Sequence, residues 1–363
     1  MIPSIQDLIQ VHKESMPWLE KSVILAVRSG SHAYGTSLPT SDLDFKGVAI
    51  PPKPYFYGFV KKFEQAEQRQ PYDSVIYDIR KFCNLAADCN PSIMEVLFVD
   101  ESDVVSQMQG GMILRDCAHA FLSKKAKHTF SGYAMSQLKR IQRHYAWLTN
   151  PPKHEPSRKE FGLINHTTIP TDQQAAAMAI IKSKMDSWNP DLSEMDPAAR
   201  IATMEWFEKT LLDVAQGDPF MSAARGVGLS DEVIYIIQQE RSYNNAQNEW
   251  KQYQTWKASR NPARAELEAK WGYDTKHGMH LVRLLRMGYE ILTEGKVFVK
   301  RPDAKELLSI RHGAWTYAQM VEYAEQMDAK MAVAEQASSL PRAPDRDFLD
   351  ALCMKVIERT TNG

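Results

Sequence analysis

Residues 30–47 read GSHAYGTSLPTSDLDFKG, shortly after the apolar run VILAV at residues 23–27. The apolar run is typical of a buried strand. The stretch DLDFKGVAI at residues 42–50 is predicted to form a second strand, which ends before the two prolines that follow. The small polar residues between the two strands predict a loop of the size that holds a phosphate. The pattern therefore predicts strand, loop and strand.

Two carboxylates belong to the second predicted strand. Asp42 and Asp44 are separated by one residue, so both side chains project from the same face of the sheet. Such like charges repel unless a cation lies between them, and Mg²⁺ favours one or two carboxylates together with substrate phosphate oxygens. Gly30 lets a phosphate approach the backbone, and Ser31 adds a hydroxyl donor. These residues predict a site for a nucleoside triphosphate and a divalent ion; the alternative is a polar turn with solvated acids.

The composition is that of an ordinary globular protein. Of 363 residues, 44% are hydrophobic and 25% are charged, and the net charge is −1, so attraction for an anionic partner must come from local clusters of charge. The four cysteines show neither a CxxC pair nor zinc-ligand spacing and are expected to be reduced thiols. Because no signal peptide or apolar stretch of membrane-spanning length is recognised, we expect a cytoplasmic protein with no membrane partner.

We predict an α+β fold in three parts. Residues 1–114 contain the strand-like runs and form an α/β domain. Residues 115–340 show helical periodicity, interrupted by pairs such as Asn-Pro and Asp-Pro, and form a large helical domain. Residues 341–363 form a polar linker and a short C-terminal helix.

The quoted stretch resembles the signature of the DNA polymerase β-like nucleotidyltransferase superfamily, a hydrophobic residue and G-[GS] followed by D-x-D. NPSIMEVLF, FSGYAMSQLKRI, KHGMHLVRLLRMGYEILTEGKVFVKRP and LLSIRHG are similar to further blocks of a subgroup that includes RNA-ligase-associated proteins. The resemblance covers residues 22–162 and 274–325 in pieces. It implies a mixed sheet of the polymerase β type within residues 1–114 and a helical domain that supplies a surface for the triphosphate and the acceptor.

The resemblance also implies the chemistry. Enzymes of this superfamily transfer a nucleotidyl group from a nucleoside triphosphate to a hydroxyl and release pyrophosphate, using two Mg²⁺ or Mn²⁺ ions. Asp42 and Asp44 would hold metal against the triphosphate, and Gly30 and Ser31 would hold its β- and γ-phosphates. A third carboxylate on a neighbouring strand would complete the site.

Two residues compete for this third position. Asp73 begins the strand-like run DSVIY, where the superfamily places its acid, whereas Asp78 directly precedes a predicted helix and is better explained as its N-cap. The two also face opposite sides of the strand. We therefore place Asp73 first as the catalytic and metal-binding residue.

A basic stripe is predicted on the helix that begins near residue 275. With Thr275 as N-cap, Lys276, His280 and Arg283 follow at i, i+4 and i+7, while His277 flanks them. The apolar positions opposite, of which Leu281 and Leu285 are two, are expected to pack inward. The stripe is predicted to bind the triphosphate through Lys276, His277, His280 and Arg283; the alternative is a solvated basic face.

A second cationic region spans residues 124–159, where nine Lys or Arg residues accompany one acid. Aromatic residues are interleaved among them, a combination that grooves for single-stranded nucleic acid use. Lys139, Arg140 and Arg143 are the predicted acceptor-binding residues. The alternative is a helix whose aromatic residues lie in the core and whose cations are solvated.

We therefore expect a metal-dependent nucleotidyltransferase whose acceptor is an RNA end, as in RNA repair or tRNA-like processing. The sequence leaves two alternatives to this function. A nucleotidylyltransferase for a small molecule or a protein would use the same metal site without the basic region. A catalytically inactive nucleotide-binding module would keep the fold without turnover, although all three carboxylates are present here.

Overall fold

The computed structural model describes residues 3–167, 169–186, 219–260 and 262–361. Within them the strands form a mixed five-stranded sheet, in the order β3-β4-β2-β1-β5. Strands β2 and β4 are parallel, and the other neighbouring strands are antiparallel. The predicted α+β fold is confirmed. The strands are β1 Val23–Ser29, β2 Asp44–Ala49, β3 Gln65–Gln68, β4 Asp73–Asp78 and β5 Val104–Gln107.

Helices make up most of the remaining described chain, with short 3₁₀ turns at Gln10–His12, Glu101–Asp103, Ala118–Phe121 and Arg158–Phe161. In the first half of the chain the α-helices are α1 Ile5–Leu8, α2 Leu19–Ser22, α3 Gly30–Tyr34, α4 Pro54–Tyr57, α5 Ile79–Ala87, α6 Pro91–Leu97, α7 Gln109–Asp116 and α8 Lys125–Thr149. In the second half they are α9 Thr171–Asp186, α10 Pro219–Gly226, α11 Asp231–Ala258, α12 Pro262–Trp271, α13 Thr275–Glu294, α14 Ala304–Arg311, α15 Tyr317–Ala337 and α16 Arg346–Thr361.

The chain divides into two compact units. Unit 1 comprises Met1–Thr149 and Asn261–Gly363, and unit 2 comprises Asn150–Arg260. The boundary predicted after residue 114 lies inside unit 1, because Phe130 of α8 and Leu281 of α13 belong to the same hydrophobic core as Leu25 of β1. The functional division of the chain stays a prediction.

The two faces of the sheet pack against different cores. Val48 belongs to the large core that contains helices α5, α6, α8 and α13. Phe45 and Ala49, on the opposite face of β2, pack with Leu8 and Leu19 at the N-terminal end of the chain. The alternation of side chains along a strand produces this division.

Helix α13 lies in the centre of unit 1, in contact with α8, α14 and α15. Leu281 and Leu285 are fully buried, as predicted. The alternative of a solvated basic face is wrong, because His277 and Arg283 are each only 5% exposed.

The N-cap of α13 is Asp274 rather than the predicted Thr275. The Asp274 side chain accepts a hydrogen bond from the His277 amide at 3.1 Å. A carboxylate accepts such a bond more strongly than a hydroxyl, and the hydroxyl of the neighbouring threonine donates to Arg311 instead.

Unit 2 has a small core of its own, formed by Ile181, Ala223, Ala224 and Ile234. The Arg158 guanidinium donates to the buried Glu240 carboxylate, with 3.0 Å between Nη1 and Oε2. In the part of the chain that the structure describes, no helix has both the length and the apolar character needed to cross a membrane.

Gly288 allows α13 to approach α8 closely, because a Cβ there would lie 2.8 Å from the Phe130 Cβ. We expect Gly288→Ala to destabilise the protein by about 1–2 kcal/mol through overpacking. Gly132→Ala, on the exposed side of α8 where a Cβ meets nothing within 4 Å, is the matched control and should stabilise by about 0.5–1 kcal/mol. Urea unfolding of both variants tests this; equal shifts of the midpoint would contradict the proposed close packing.

Candidate functional site

The turn between β1 and α3 requires glycine at residue 30. Gly30 has φ +67°, in the left-handed region, and a Cβ on it would collide with the carboxylate oxygen Oδ2 of Asp44. The absence of a side chain therefore allows the Asp44 carboxylate to lie against the backbone of this turn. Ser31 follows in α3, so the predicted Gly30-Ser31 pair and Asp44 are brought together.

The three predicted carboxylates lie at one end of the parallel pair β2 and β4. Asp44 and Asp73 are direct partners in the register. Asp42 precedes β2 rather than belonging to it. The pairing of β2 with β1 ends at Ser29 and Asp44, and its pairing with β4 ends at Asp44 and Asp73, so no strand partner is left for residue 42. Asp42 and Asp73 are exposed, whereas Asp44 is half-buried.

Charge repulsion in this cluster is visible at Asp44. Burial raises the pKa of Asp44, and the carboxylates of Asp73 and Asp42 raise it further, while Lys46 and Lys276 oppose the shift. This concentration of negative charge suits a divalent cation. Among the described residues no group of three or more His, Cys, Asp or Glu side chains is arranged so that it could hold a metal ion. Mg²⁺ does not require three protein ligands, since it takes one or two carboxylates and completes its shell with water and phosphate oxygens. The donor set fits that ion.

Asp78 lies at the other end of β4 and has the predicted structural role. Its side chain accepts hydrogen bonds from the Arg80 and Lys81 amides at the start of α5. It lies five positions after Asp73 on the same strand, or roughly 16 Å away. Of the two candidates, therefore, only Asp73 lies next to Asp44.

Lys46 was missed by the sequence reasoning. It lies two residues after Asp44 on the same face of β2, and its ammonium donates to the Ser92 hydroxyl at 2.9 Å. Burial lowers the pKa of Lys46, partly offset by the Glu95 carboxylate. The period-two alternation that placed Asp42 and Asp44 together also applied to Lys46 and was the available signal.

Arg283 forms a buried ion pair that the sequence did not show. Its Nη1 donates to Glu95 Oε1 at 2.5 Å, and its guanidinium lies 3.8 Å from the centre of the Tyr34 ring. The Tyr34 hydroxyl donates to the other Glu95 oxygen at 2.6 Å. Arg283 therefore holds α13, α6 and α3 together next to the turn at Gly30. Its assignment to the nucleotide stays a prediction.

The other predicted residues of α13 lie close to this pair. Burial lowers the pKa of His280 well below its usual range, and the cationic neighbours Arg283 and Lys276 lower it further, so the imidazole is neutral at pH 7. The His277 ring is buried, with Nε2 3.8 Å from Asp274 Oδ2. Lys276 is near enough to lower the pKa of Asp44. Of the four predicted residues of α13, Lys276 is thus one whose charge acts on the Asp44 carboxylate.

The second cationic region is divided between the two units. In unit 1, Lys125 pairs with Asp88 at 2.7 Å. The predicted acceptor-binding residues of α8, Lys139, Arg140 and Arg143, are exposed. Lys153, Arg158 and Lys159 belong to unit 2.

Most of the interleaved aromatic residues serve the protein interior. Tyr145 stacks on Tyr317 with ring centres 4.1 Å apart, and Trp147 is buried. Tyr133 is 47% exposed, and its hydroxyl accepts a hydrogen bond from Asn90 at the start of α6. A stacking surface along α8 would therefore rest on Tyr133, with Arg140 two turns further along the same face.

Comparison with known proteins gives the following similarities. Residues 1–150 match the model of the RNA repair pathway DNA polymerase beta family. An uncharacterized 38.9 kDa protein in the nrdC-mobD intergenic region of enterobacteria phage T4 is 34% identical over an alignment of 85 residues that covers 21% of this chain and 25% of that protein. The chain thus spans about a quarter of the length of this relative. No solved structure matches.

The buried Arg283–Glu95 pair makes a prediction for stability. We expect Glu95→Gln to destabilise unit 1 by about 3 kcal/mol in urea unfolding, because it leaves a buried guanidinium uncompensated. Glu64→Gln removes the acid of an exposed pair with Lys81 and, as the control, should leave the unfolding midpoint nearly unchanged.

The pH dependence follows from the same pair. Burial alone would raise the pKa of Glu95, but Arg283, Lys46 and the hydrogen bond from Tyr34 outweigh it and hold that pKa below its usual value. The stabilisation is therefore present above the ordinary pKa of Glu and is lost as the pH falls through the lower value of the folded state. Urea unfolding at several pH values should show a shallower acid dependence in Glu95→Gln; an unchanged slope would contradict this assignment.

Proposed function

We propose that this protein transfers a nucleoside monophosphate from a nucleoside triphosphate to a hydroxyl at an RNA end, with release of pyrophosphate. The match of residues 1–150 to the model of the RNA repair pathway DNA polymerase beta family supports the proposal. The observation that carries the proposal is the direct pairing of Asp44 with Asp73 beside the glycine turn at Gly30. Asp42, next to this pair, supplies a third carboxylate.

Asp42, Asp44 and Asp73 would hold Mg²⁺ or Mn²⁺ in this proposal. When bound, two such ions lower the pKa of the attacking hydroxyl and stabilise the pyrophosphate that leaves. The protein itself positions the phosphate. Asp44, seated against Gly30, determines how close a phosphate can come to the turn, and the Ser31 hydroxyl can donate to it.

Lys46 and Lys276 would balance the negative charge of the site. Both lie near enough to Asp44 to lower its pKa. Lys46 is held in place by Ser92, so little of its side-chain entropy would be lost when a ligand binds. Such fixed cations favour a triphosphate over a less charged nucleotide.

Two observations support an RNA acceptor. The description of the family whose model matches residues 1–150 names an RNA repair pathway. Lys139, Arg140 and Arg143 of α8 are exposed on a protein whose net charge is only −1. Exposed Lys and Arg provide the attraction for phosphates that nucleic-acid binding requires.

Loss of the carboxylates should abolish turnover. With Mg²⁺ or Mn²⁺, each of the four NTPs and a pool of small RNAs, we expect pyrophosphate release by the wild type and at least a thousandfold lower rate for Asp42→Asn/Asp44→Asn. Asp347→Asn, an exposed carboxylate of α16, is the control. Release that does not need RNA would favour a small-molecule or protein acceptor, and no release by the wild type would contradict nucleotidyl transfer.

Charge reversal on α8 should weaken RNA use selectively. For Lys139→Glu/Arg140→Glu/Arg143→Glu we expect the KM for RNA to rise at least tenfold, because three attractive phosphate contacts become repulsive, while the KM for NTP stays unchanged. The matched control is Lys305→Glu/Lys330→Glu/Lys355→Glu, three exposed lysines elsewhere in unit 1. Steady-state kinetics at two salt concentrations compare them; equal effects of the two triple variants would contradict a specific acceptor surface.

A further inference from the structure

An exposed aromatic segment connects β2 with β3. We call residues 53–62, KPYFYGFVKK, the aromatic loop; it includes α4. Tyr57 is 86% exposed, Phe59 92% and Val60 79%. Large apolar side chains that are scattered singly over a surface need no explanation, but several together indicate a binding surface.

The base of the aromatic loop is fixed, although its tip is exposed. The Trp18 indole donates to the Tyr55 hydroxyl at 3.1 Å, and the Arg80 guanidinium lies 4.3 Å from the centre of the Phe56 ring. At the turn, the Gly58 amide donates to the Pro54 carbonyl at 3.1 Å, and a Cβ on Gly58 would lie 2.5 Å from that oxygen. The fold therefore holds the loop in a shape that presents its tip to solvent.

The charge of the aromatic loop is entirely positive. Lys53, Lys61 and Lys62 are exposed, and there is no Asp or Glu from Pro51 to Phe63. Lysine is depleted at the centre of protein–protein interfaces, so a protein partner does not explain the combination. Exposed rings beside lysines are the means by which proteins bind single-stranded nucleic acid, because bases stack on the rings and phosphates contact the ammonium groups.

The aromatic loop follows the strand that begins at Asp44. Strand β2 begins at Asp44 and ends at Ala49, a length of roughly 17 Å, and the aromatic loop begins four residues later. This separation is shorter than a single strand of RNA several nucleotides long.

We propose that the aromatic loop is a docking site for single-stranded RNA, with Tyr57 and Phe59 stacking on bases and the three lysines contacting phosphates. The inference rests on the proposed function for the identity of the RNA as acceptor. Docking depends on stacking and charge rather than on hydrogen bonds to base edges, so it tolerates many sequences.

Fluorescence anisotropy with a labelled single-stranded RNA, in the absence of NTP and divalent metal, tests docking on the full chain. We expect the Kd to rise at least tenfold for Tyr57→Ala/Phe59→Ala and to stay within twofold for Tyr57→Phe/Phe59→Tyr, which keeps both rings. The matched control is Tyr235→Ala/Phe348→Ala, which removes two other exposed aromatic rings. Thermal unfolding checks that each variant is folded.

Salt dependence provides a second readout. For Lys53→Gln/Lys61→Gln/Lys62→Gln we expect the slope of log Kd against log salt to fall by about 2, since each phosphate contact on a single strand contributes about 0.7. An unchanged RNA affinity in both the aromatic and the lysine variants would overturn the proposal. Binding to vesicles of anionic phospholipid that is lost in these variants, with RNA affinity unchanged, would identify a membrane surface instead.

The two proposals fail in different ways. RNA binding that is weakened in the loop variants, with no pyrophosphate release by the wild type, would support docking and contradict nucleotidyl transfer. RNA-dependent pyrophosphate release by the wild type, with loop variants of unchanged Kd and unchanged KM for RNA, would support nucleotidyl transfer and overturn docking.

Discussion

The ion pair between Arg283 and Glu95 joins the parts of unit 1 that build the site. Arg283 comes from the central helix α13, Glu95 from α6, and the Tyr34 ring and hydroxyl complete the contact from α3. Burying two charges costs desolvation energy that only close pairing and further hydrogen bonds recover. Because each partner needs the other, the three helices can pack only in an arrangement that keeps the pair together, and this arrangement sets the position of the glycine turn.

At Asp44 and Asp73, in contrast to the Arg283–Glu95 pair, the negative charges are not matched by a paired arginine among the described residues. Asp44 and Asp73 are held side by side by the parallel register of β2 and β4, and no arginine is paired with them in the described structure. Lys46 lies between the two charge systems, since it is influenced by Glu95 on one side and by Asp44 on the other. The negative charge at the strand ends is therefore only partly offset, by Lys46 and Lys276, whereas Arg283 and Glu95 neutralise each other within the protein.

Sequence reasoning succeeded where the cause of a feature is local. The N-cap role of Asp78 was predicted correctly because a cap depends on a few neighbouring residues. The inward packing of Leu281 and Leu285 was likewise correct, since helical periodicity determines it. The prediction failed where residues far apart in sequence meet: a stripe at helical spacing shows which side chains share a face, but not that Glu95 lies opposite Arg283.

The sequence by itself determined the local chemistry, namely the glycine turn, the spacing of Asp42 and Asp44, and a fold class that the structure and the match over residues 1–150 confirm. Only the tertiary structure decided that Asp73 rather than Asp78 lies beside Asp44, that Lys46 joins the site, and that Arg283 is buried in an ion pair. The physical reason is that turns, caps and alternation depend on neighbouring residues. Strand register and buried ion pairs depend instead on contacts between residues up to 188 positions apart, and no local pattern encodes those contacts.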